Sequence, residues 1–257
     1  MQERETSKFM VEAENGWTFC TFHVIVKEKE AKIRPERVLD RGRANAMNFT
    51  KIDRETWPRK EYFDHYFTQV PCTYSAVFQL DITRLRKSGR KLYPSMLFYL
   101  STVVNRHQEF RMALDESGNV GFYDVVHPCY TIFHKDTETF SNLWTAYTPS
   151  YTDFCAAWET DMAEYGSVPG LVSRPDTPVN TFPVSMVPWA SFEGFNLNLQ
   201  NGYDYLPPIF TMGRFYEENG RILLPLAVQM HHAVCDGFHL CRLVNELQEL
   251  LDKANGE

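Results

Sequence analysis

The 257-residue chain lacks any run of about 20 apolar residues, the length that a helix needs to cross a bilayer. Its most apolar N-terminal stretch, residues 17–26, is short and contains polar side chains. Acidic residues precede this stretch and no small-residue cleavage pattern follows it, so it does not resemble a signal peptide. We therefore expect a cytoplasmic protein with no membrane partner.

Cysteine is scarce, and none of the six cysteines forms a CxxC pair. A small disulfide scaffold would have a higher density of cysteines than this chain. A zinc site would need ligand pairs at close spacing, and the sequence has none. The pattern predicts reduced, mostly buried thiols and no metal site.

The chain also has no excess of positive charge. It contains 26 Lys and Arg and 33 Asp and Glu, which gives a formal net charge of -7. Nucleic-acid binding depends mainly on clustered Lys and Arg, so we expect no nucleic-acid partner. The chain does have a hydrophobic fraction of 44% and an aromatic fraction of 14%. These fractions favour a packed globule over a disordered chain.

Residues 1–46 differ in composition from the rest of the chain. Their basic and acidic residues nearly balance, and their apolar clusters are too weak to order the segment independently. We expect residues 1–46 to be an N-terminal extension outside the core and residues 47–257 to form the domain. The alternative is a short accessory segment that docks on the domain.

From residue 47 onward the sequence alternates between strand and helix patterns. Pro94 is expected to open a helix, and an Asn-Gly pair at 219–220 predicts a hairpin. The pattern predicts strands at 74–83, 130–134, 184–192, 209–216 and 222–232, a hairpin turn at 116–119, and helices from 94, at 152–165 and at 238–251. We therefore expect an α/β (α+β) two-layer sandwich with a mixed β-sheet flanked by helices.

The segment with the clearest chemical signal is residues 229–239, a strand that ends in His231 and His232 and is followed by a turn with Asp236. Imidazole suits general-base work near neutral pH. Because side chains alternate along a strand, only one of the two histidines is expected to face a site. Three other interpretations stay open from these residues alone: buried, hydrogen-bonded histidines; a metal site completed by His239; or a Cys235 nucleophile.

Residues 231–239, His-His-Ala-Val-Cys-Asp-Gly-Phe-His, resemble the HHxxxDG signature of coenzyme A-dependent acyltransferases. In detail they are similar to the trimeric chloramphenicol acetyltransferases, and the resemblance extends over about residues 47–252. Further blocks match in order at residues 57–63 (WPRKEYF), 93–94 (YP), 109–113 (EFRMA), 137–141 (TETFS), 184–189 (VSMVPW), 195–198 (FNLN) and 208–213 (PIFTMG). The signature alone also occurs in dihydrolipoyl acyltransferases and peptide-synthetase condensation domains, whereas the ordered set is far more specific.

The resemblance implies a coenzyme A-dependent acyltransferase fold and transfer of an acetyl group from acetyl-CoA to the 3-hydroxyl of chloramphenicol. It implies that His232 is the general base, that Ser185 hydrogen-bonds the developing oxyanion, and that Thr211 helps to place a water near it. It also implies an ion pair between Asp236 and Arg59 that supports the active-site turn.

The resemblance further implies a homotrimer with active sites at subunit interfaces, and no metal. The residues that match antibiotic-pocket positions are Tyr66, Cys72, Tyr74, Phe140 and Leu197. A flat nitrophenyl substrate calls for such an apolar, aromatic-lined slot. The alternatives are a same-fold O-acyltransferase for another hydroxylated acceptor, a dihydrolipoyl acyltransferase core, and a non-catalytic binder of chloramphenicol or acyl-CoA.

Overall fold

The computed structural model describes residues 48–198 and 204–254. The predicted N-terminal extension, residues 1–46, lies outside the described residues. The strands are β1 (Phe49–Lys51), β2 (Thr73–Asp81), β3 (Met112–Leu114), β4 (Val120–Tyr123), β5 (His127–His134), β6 (Thr139–Trp144), β7 (Thr181–Met186), β8 (Ile209–Met212), β9 (Tyr216–Glu218) and β10 (Arg221–His231). The α-helices are α1 (Lys60–Asp64), α2 (Thr83–Lys87), α3 (Leu92–Arg106), α4 (Tyr151–Tyr165) and α5 (Gly237–Asp252).

A seven-stranded sheet in the order β2-β10-β8-β7-β5-β6, with β9 also paired to β10, forms the centre of the fold. β7 runs parallel to both β5 and β8, and the other pairs are antiparallel. A smaller sheet has the order β1-β4-β3. Helix α3 packs on both α4 and α5, and the three helices α3, α4 and α5 also contact β5, β6 and β2, respectively. The predicted α/β class with a mixed, helix-flanked sheet is confirmed.

β10 is the strand that positions the histidine pair. Its last nine residues, from Leu223 to His231, are all buried, and strands pair along both of its edges. The strand begins after the predicted hairpin turn, where Asn219 and Gly220 have φ of 51° and 74°. Two positive φ values are the requirement of a type I′ turn, which Asn-Gly meets at low cost.

Helix α5 begins directly after the histidine turn and buries one apolar face. The buried residues follow the predicted helical spacing and are Leu240, Leu243, Val244, Leu247 and Leu251. They join the residues of β10 and β2 in one hydrophobic core. Among the residues that the structure describes, no helix has the combination of length and apolar character that a membrane span requires.

Several predicted boundaries were wrong: β2 ends at Asp81 rather than at 83, β5 begins at His127 rather than at 130, and three further cases have a clear physical reason. Helix α3 begins at Leu92, two residues before Pro94, because proline is tolerated within a first turn whose N–H groups have no helical acceptor. β7 spans Thr181–Met186 rather than 184–192, since its ladder with β5 starts at Thr181 and Pro188 has no N–H to extend it. The predicted strand 209–216 is interrupted after Met212, where the Gly213 and Arg214 N–H groups donate to Pro225 and Ala190.

Candidate active site

The histidine pair lies where β10 ends and the turn to α5 begins, and this turn is tied to the start of β2. The His232 N–H donates to the Cys72 carbonyl at 2.9 Å. The N–H groups of Val234 and Cys235 both donate to the His231 carbonyl, at 3.2 and 3.0 Å. These backbone bonds fix where each histidine side chain leaves the chain.

The two histidine rings have different environments. The His232 ring lies flat on the Tyr66 ring, with centroids 3.9 Å apart and planes inclined by 4°, and Tyr74 meets it edge-on at 5.2 Å. His231 is 1% exposed, packs near Phe67, and its Nδ1 accepts the Ala233 N–H at 3.1 Å. His231 is therefore engaged by the turn itself. The half-buried His232 ring is held by aromatic packing, and its Nδ1 has no partner among the described residues.

Arg59 binds the histidine turn at three points. Its Nη1 donates to Asp236 Oδ2 at 3.0 Å, its Nε to the Ala233 carbonyl at 3.0 Å, and its Nη2 to the His232 carbonyl at 3.1 Å. The structure thus contains the expected ion pair, with side-chain exposures of 17% for Arg59 and 39% for Asp236. Arg59 also connects the segment before α1 directly to the backbone of His232.

Asp236 is also the N-cap of α5, and a second side chain, that of His239, contacts its carboxylate. Its Oδ1 accepts the Phe238 N–H at 3.1 Å and lies 2.8 Å from His239 Nδ1. Burial alone would raise the pKa of the Asp236 carboxyl, but the hydrogen bond from Arg59, the contact with His239 and the charge of Arg59 lower it below its usual value. Sequence reasoning missed this role of His239, although Asp-x-x-His has the spacing of a capping box.

Cys235 and Tyr74 flank this turn as neutral groups. Burial raises the pKa of the Cys235 thiol far above its usual value, and its Sγ contacts the Glu109 carbonyl at 3.8 Å. A buried thiol of this kind is a poor nucleophile, so the Cys235 alternative gains no support. Burial likewise raises the pKa of Tyr74, and its hydroxyl has no partner among the described residues. Within those residues no group of three potential ligands could hold a metal ion.

Ser185 and Thr211 form a second cluster, on neighbouring strands. They are register partners in the parallel pair β7–β8, and Thr211 lies opposite Ala227 of β10. Ser185 is 8% exposed, and its hydroxyl has no partner in the described part of the chain. Since most buried hydroxyls are hydrogen-bonded, this one marks a place where a ligand atom would be favourable. Alternation along β5 and β6 places Phe140 on the same face of the sheet.

A small cavity adjoins Thr211, with room for about one water molecule. The segment after β7 covers it, because the Leu197 N–H donates to Gln229 Oε1 at 3.1 Å. The cavity is lined by Phe195, Leu197, Ile209, Thr211, Ala227 and Gln229. It brings together two of the predicted site residues, Thr211 and Leu197.

Comparison with known proteins decides the family. The model of the family described as chloramphenicol acetyltransferase matches residues 47–248. The chain belongs to the chloramphenicol acetyltransferase family. The chloramphenicol acetyltransferase of Campylobacter coli is 58% identical over 207 residues, which cover 80% of this chain and 100% of the relative. That of Vibrio anguillarum is 60% identical over 205 residues, which cover 80% and 95%.

Solved structures agree at the level of the fold. A chloramphenicol acetyltransferase structure superposes with a TM-score of 0.70 at 20% identity, covering 79% of this chain and 100% of that chain. The dihydrolipoamide acetyltransferase of Azotobacter vinelandii gives a TM-score of 0.55 at 19% identity, covering 74% and 85%. The chain therefore has the fold shared by these acyltransferases.

In this acetyltransferase-family chain the predicted site residues fall into two separate groups. Tyr66, Cys72 and Tyr74 surround His232, whereas Ser185, Thr211, Leu197 and Phe140 belong to the other side of the sheet. Ala227, the partner of Thr211, lies five residues before His232, which is about 17 Å at the rise of a β-strand. A general base must lie within hydrogen-bond reach of the reacting group. One chain therefore does not bring His232 and Ser185 to the same reacting atoms.

Proposed function

We propose that this chain transfers the acetyl group of acetyl-CoA to the 3-hydroxyl of chloramphenicol and thereby inactivates the antibiotic. The observation that carries the proposal is the match of the chloramphenicol acetyltransferase family over residues 47–248, which includes every predicted site residue. The packing of the His232 ring between Tyr66 and Tyr74 supports it, because a general base needs a fixed orientation.

In the proposed reaction the His232 imidazole removes the proton of the 3-hydroxyl as its oxygen attacks the thioester carbonyl. The new C–O bond gives a tetrahedral oxyanion, and its collapse breaks the C–S bond. The proton held by His232 passes to the departing thiolate, so free CoA thiol and acetylated chloramphenicol leave. Direct transfer needs no acyl-enzyme and no metal, and a positioned base of this kind contributes about 10²–10⁴-fold.

Ser185 and Thr211 are assigned to the oxyanion. The unpaired, buried Ser185 hydroxyl would donate to the negative oxygen of the intermediate. Thr211 would hold a water beside it, and the cavity next to Thr211 has the size for one. Both groups sit on strands in the interior of the sheet, so little reorganisation is needed when the charge develops.

Asp236 is assigned a structural role. It bonds Arg59, and Arg59 in turn holds the His232 and Ala233 carbonyls. Asp236 thus acts on the base through the backbone of the turn. Removing either partner would leave the other charge partly buried without its opposite charge, held only by its remaining hydrogen bonds.

The separation of His232 from Ser185 supports a site shared between subunits. We infer a homotrimer in which each site takes His232 from one chain and Ser185, Thr211 and Leu197 from the next. The large exposed aromatics Phe133 and Trp189, 45% and 57% exposed and in ring contact at 4.7 Å, would contribute to the interface.

Cytoplasmic localisation and a position of residues 1–46 outside the domain complete the proposal. A chain starting at Met47 with unchanged turnover would support the latter.

Hybrid oligomers test the shared site. His232→Ala and Ser185→Ala chains, each inactive alone, are mixed in equal amounts, unfolded and refolded together. If a site is shared between neighbouring chains, about one quarter of the interfaces in a cyclic trimer carry both intact residues, so activity returns to roughly that fraction. A refolded wild-type sample is the control. Absence of recovery, or a fully active monomer by sedimentation, would contradict the shared site.

The acetyl-transfer proposal is tested by the release of CoA thiol from acetyl-CoA with and without chloramphenicol. Release that depends on chloramphenicol supports it. Release only with a different hydroxylated acceptor would identify another O-acyltransferase of this fold, and chloramphenicol binding without release would identify a binder.

A further inference from the structure

Gln229 is a buried polar residue near the centre of the sheet, and it has no role in the proposed acetyl-transfer reaction. It is 6% exposed and lies on β10, where its register partners are Ser75 of β2 and Ile209 of β8. Its side chain lines the cavity that also holds Thr211 and Leu197. An amide in this position is costly unless both of its polar atoms are hydrogen-bonded.

The orientation of this carboxamide is fixed by its neighbours. The backbone N–H of Leu197 lies 3.1 Å from Oε1, and the Ser75 hydroxyl lies 3.4 Å from the same atom. A backbone N–H can only donate, so the atom that faces it must be the amide oxygen. The amide nitrogen, Nε2, is then left without a partner among the described residues.

Gln229, which lines the cavity beside Thr211, therefore carries an unpaired hydrogen-bond donor, its Nε2. The other lining side chains, Phe195, Leu197, Ile209 and Ala227, are apolar. The cavity has room for one oxygen-sized group. An apolar pocket with few fixed polar groups is the usual way to orient a small ligand.

We propose that Gln229 is a positioning residue of the acceptor pocket, whose Nε2–H donates to an oxygen that occupies the cavity beside Thr211. This inference rests on the proposed function. The oxygen belongs either to the water that Thr211 holds, which then bridges to the acceptor, or to a hydroxyl of the acceptor that displaces this water. In both cases Gln229 fixes the acceptor relative to Ser185 and Thr211, and it contributes nothing to acetyl-CoA binding.

Two variants remove the donor in different ways. Gln229→Glu keeps an acceptor oxygen for Leu197 and Ser75, while Gln229→Met keeps the approximate volume. Each should raise the KM for chloramphenicol about 3–10-fold, the effect of one lost hydrogen bond. The KM for acetyl-CoA should change by less than about twofold, as expected for one lost contact on the acceptor side only. Ser75→Ala is the matched control, because it removes a contact to Oε1 and leaves Nε2 intact, so both KM values should stay at the wild-type level.

The KM for a chloramphenicol analogue that lacks the secondary hydroxyl identifies the source of this oxygen. If that hydroxyl is the partner, directly or through water, wild type and Gln229→Met have equal KM values for the analogue; if a water that bridges to another group of the acceptor is the partner, the difference persists. A crystal structure of the wild-type protein with chloramphenicol should place an oxygen about 2.9 Å from Nε2.

Wild-type activity with chloramphenicol and unchanged acceptor KM in both folded Gln229 variants would overturn the role of Gln229 alone. So would a carbon atom or an empty cavity next to Nε2 in the complex, an observation that needs no variant. A wild-type protein that releases no CoA with chloramphenicol would instead overturn the proposed function, and this inference with it.

Discussion

The His232 imidazole is stacked on the Tyr66 ring, with the planes inclined by 4° and the centroids 3.9 Å apart. His232 lies just beyond the end of β10, and Tyr66 lies in the π-helical turn His65–Gln69 that follows α1. Two segments distant in sequence therefore meet at the proposed base. Aromatic stacking of this kind restricts the ring without using either of its nitrogens.

Replacing Tyr66 tests whether this stacking orients the base. Tyr66→Ala should lower kcat by about 2–10-fold, the effect of losing an aromatic pair worth about 0.5–1.5 kcal/mol. Tyr66→Phe keeps the ring and should retain kcat. Steady-state kinetics on both variants decide the matter, and equal losses in Tyr66→Phe and Tyr66→Ala would show that the hydroxyl rather than the stacking is important.

The two histidines should differ sharply when each is replaced. His232→Ala should lose about 10²–10⁴-fold in kcat, because the general base is gone, with little change in the melting temperature. His231→Ala should retain activity and lose stability, since buried His231 accepts the Ala233 N–H. Turnover and thermal unfolding of both proteins are the measurements. An inactive His231→Ala beside an active His232→Ala would reverse the assignment.

The Arg59–Asp236 pair should couple stability and activity. Asp236→Asn and Arg59→Ala should each lower the free energy of unfolding by about 1–3 kcal/mol and also reduce turnover, because the turn that carries His232 relaxes. The double variant should lose less than the sum of the single losses. Lys60→Ala is the matched control: its ion pair with Glu55 is exposed, so its loss should cost at most about 1 kcal/mol. Strict additivity of the two losses in stability would argue against the pair.

The same pair predicts a pH dependence of stability. The pKa of Asp236 is lowered in the folded protein, so this carboxylate stabilises the fold at pH values above its unfolded pKa of about 3.9. That contribution is lost as the pH falls through the lower, folded pKa. The difference in unfolding free energy between wild type and Asp236→Asn should thus shrink as the pH falls below about 4. A difference that stayed constant down to pH 3 would contradict this.

Local patterns in the sequence were enough for the elements that hold the base. Alternation predicted β2 and β10, Asn-Gly predicted the turn before β10, and the apolar spacing predicted α5. These signals come from neighbouring residues and depend little on the rest of the fold. The ends of β7 depend on where β5 lies beside it, which a local pattern does not contain.

Predicting the residues of the candidate site required more than local sequence patterns. Arg59 and Asp236 are 177 positions apart, and only the family resemblance predicted their contact. The unpaired Nε2 of Gln229 follows from the placement of the Leu197 N–H, and the separation of His232 from Ser185 follows from the register of β8 on β10. Such relationships arise from strand pairing across the sheet, so they became visible only in the folded chain.

The most direct test of the account is the product formed when the wild-type protein is incubated with acetyl-CoA and chloramphenicol. Mass spectrometry and proton NMR should identify chloramphenicol that carries one acetyl group on its 3-hydroxyl, formed in equal amount to the released CoA thiol. The His232→Ala protein, folded and at the same concentration, should form almost none. Unmodified chloramphenicol with the wild-type protein, or equal product from His232→Ala, would contradict the account.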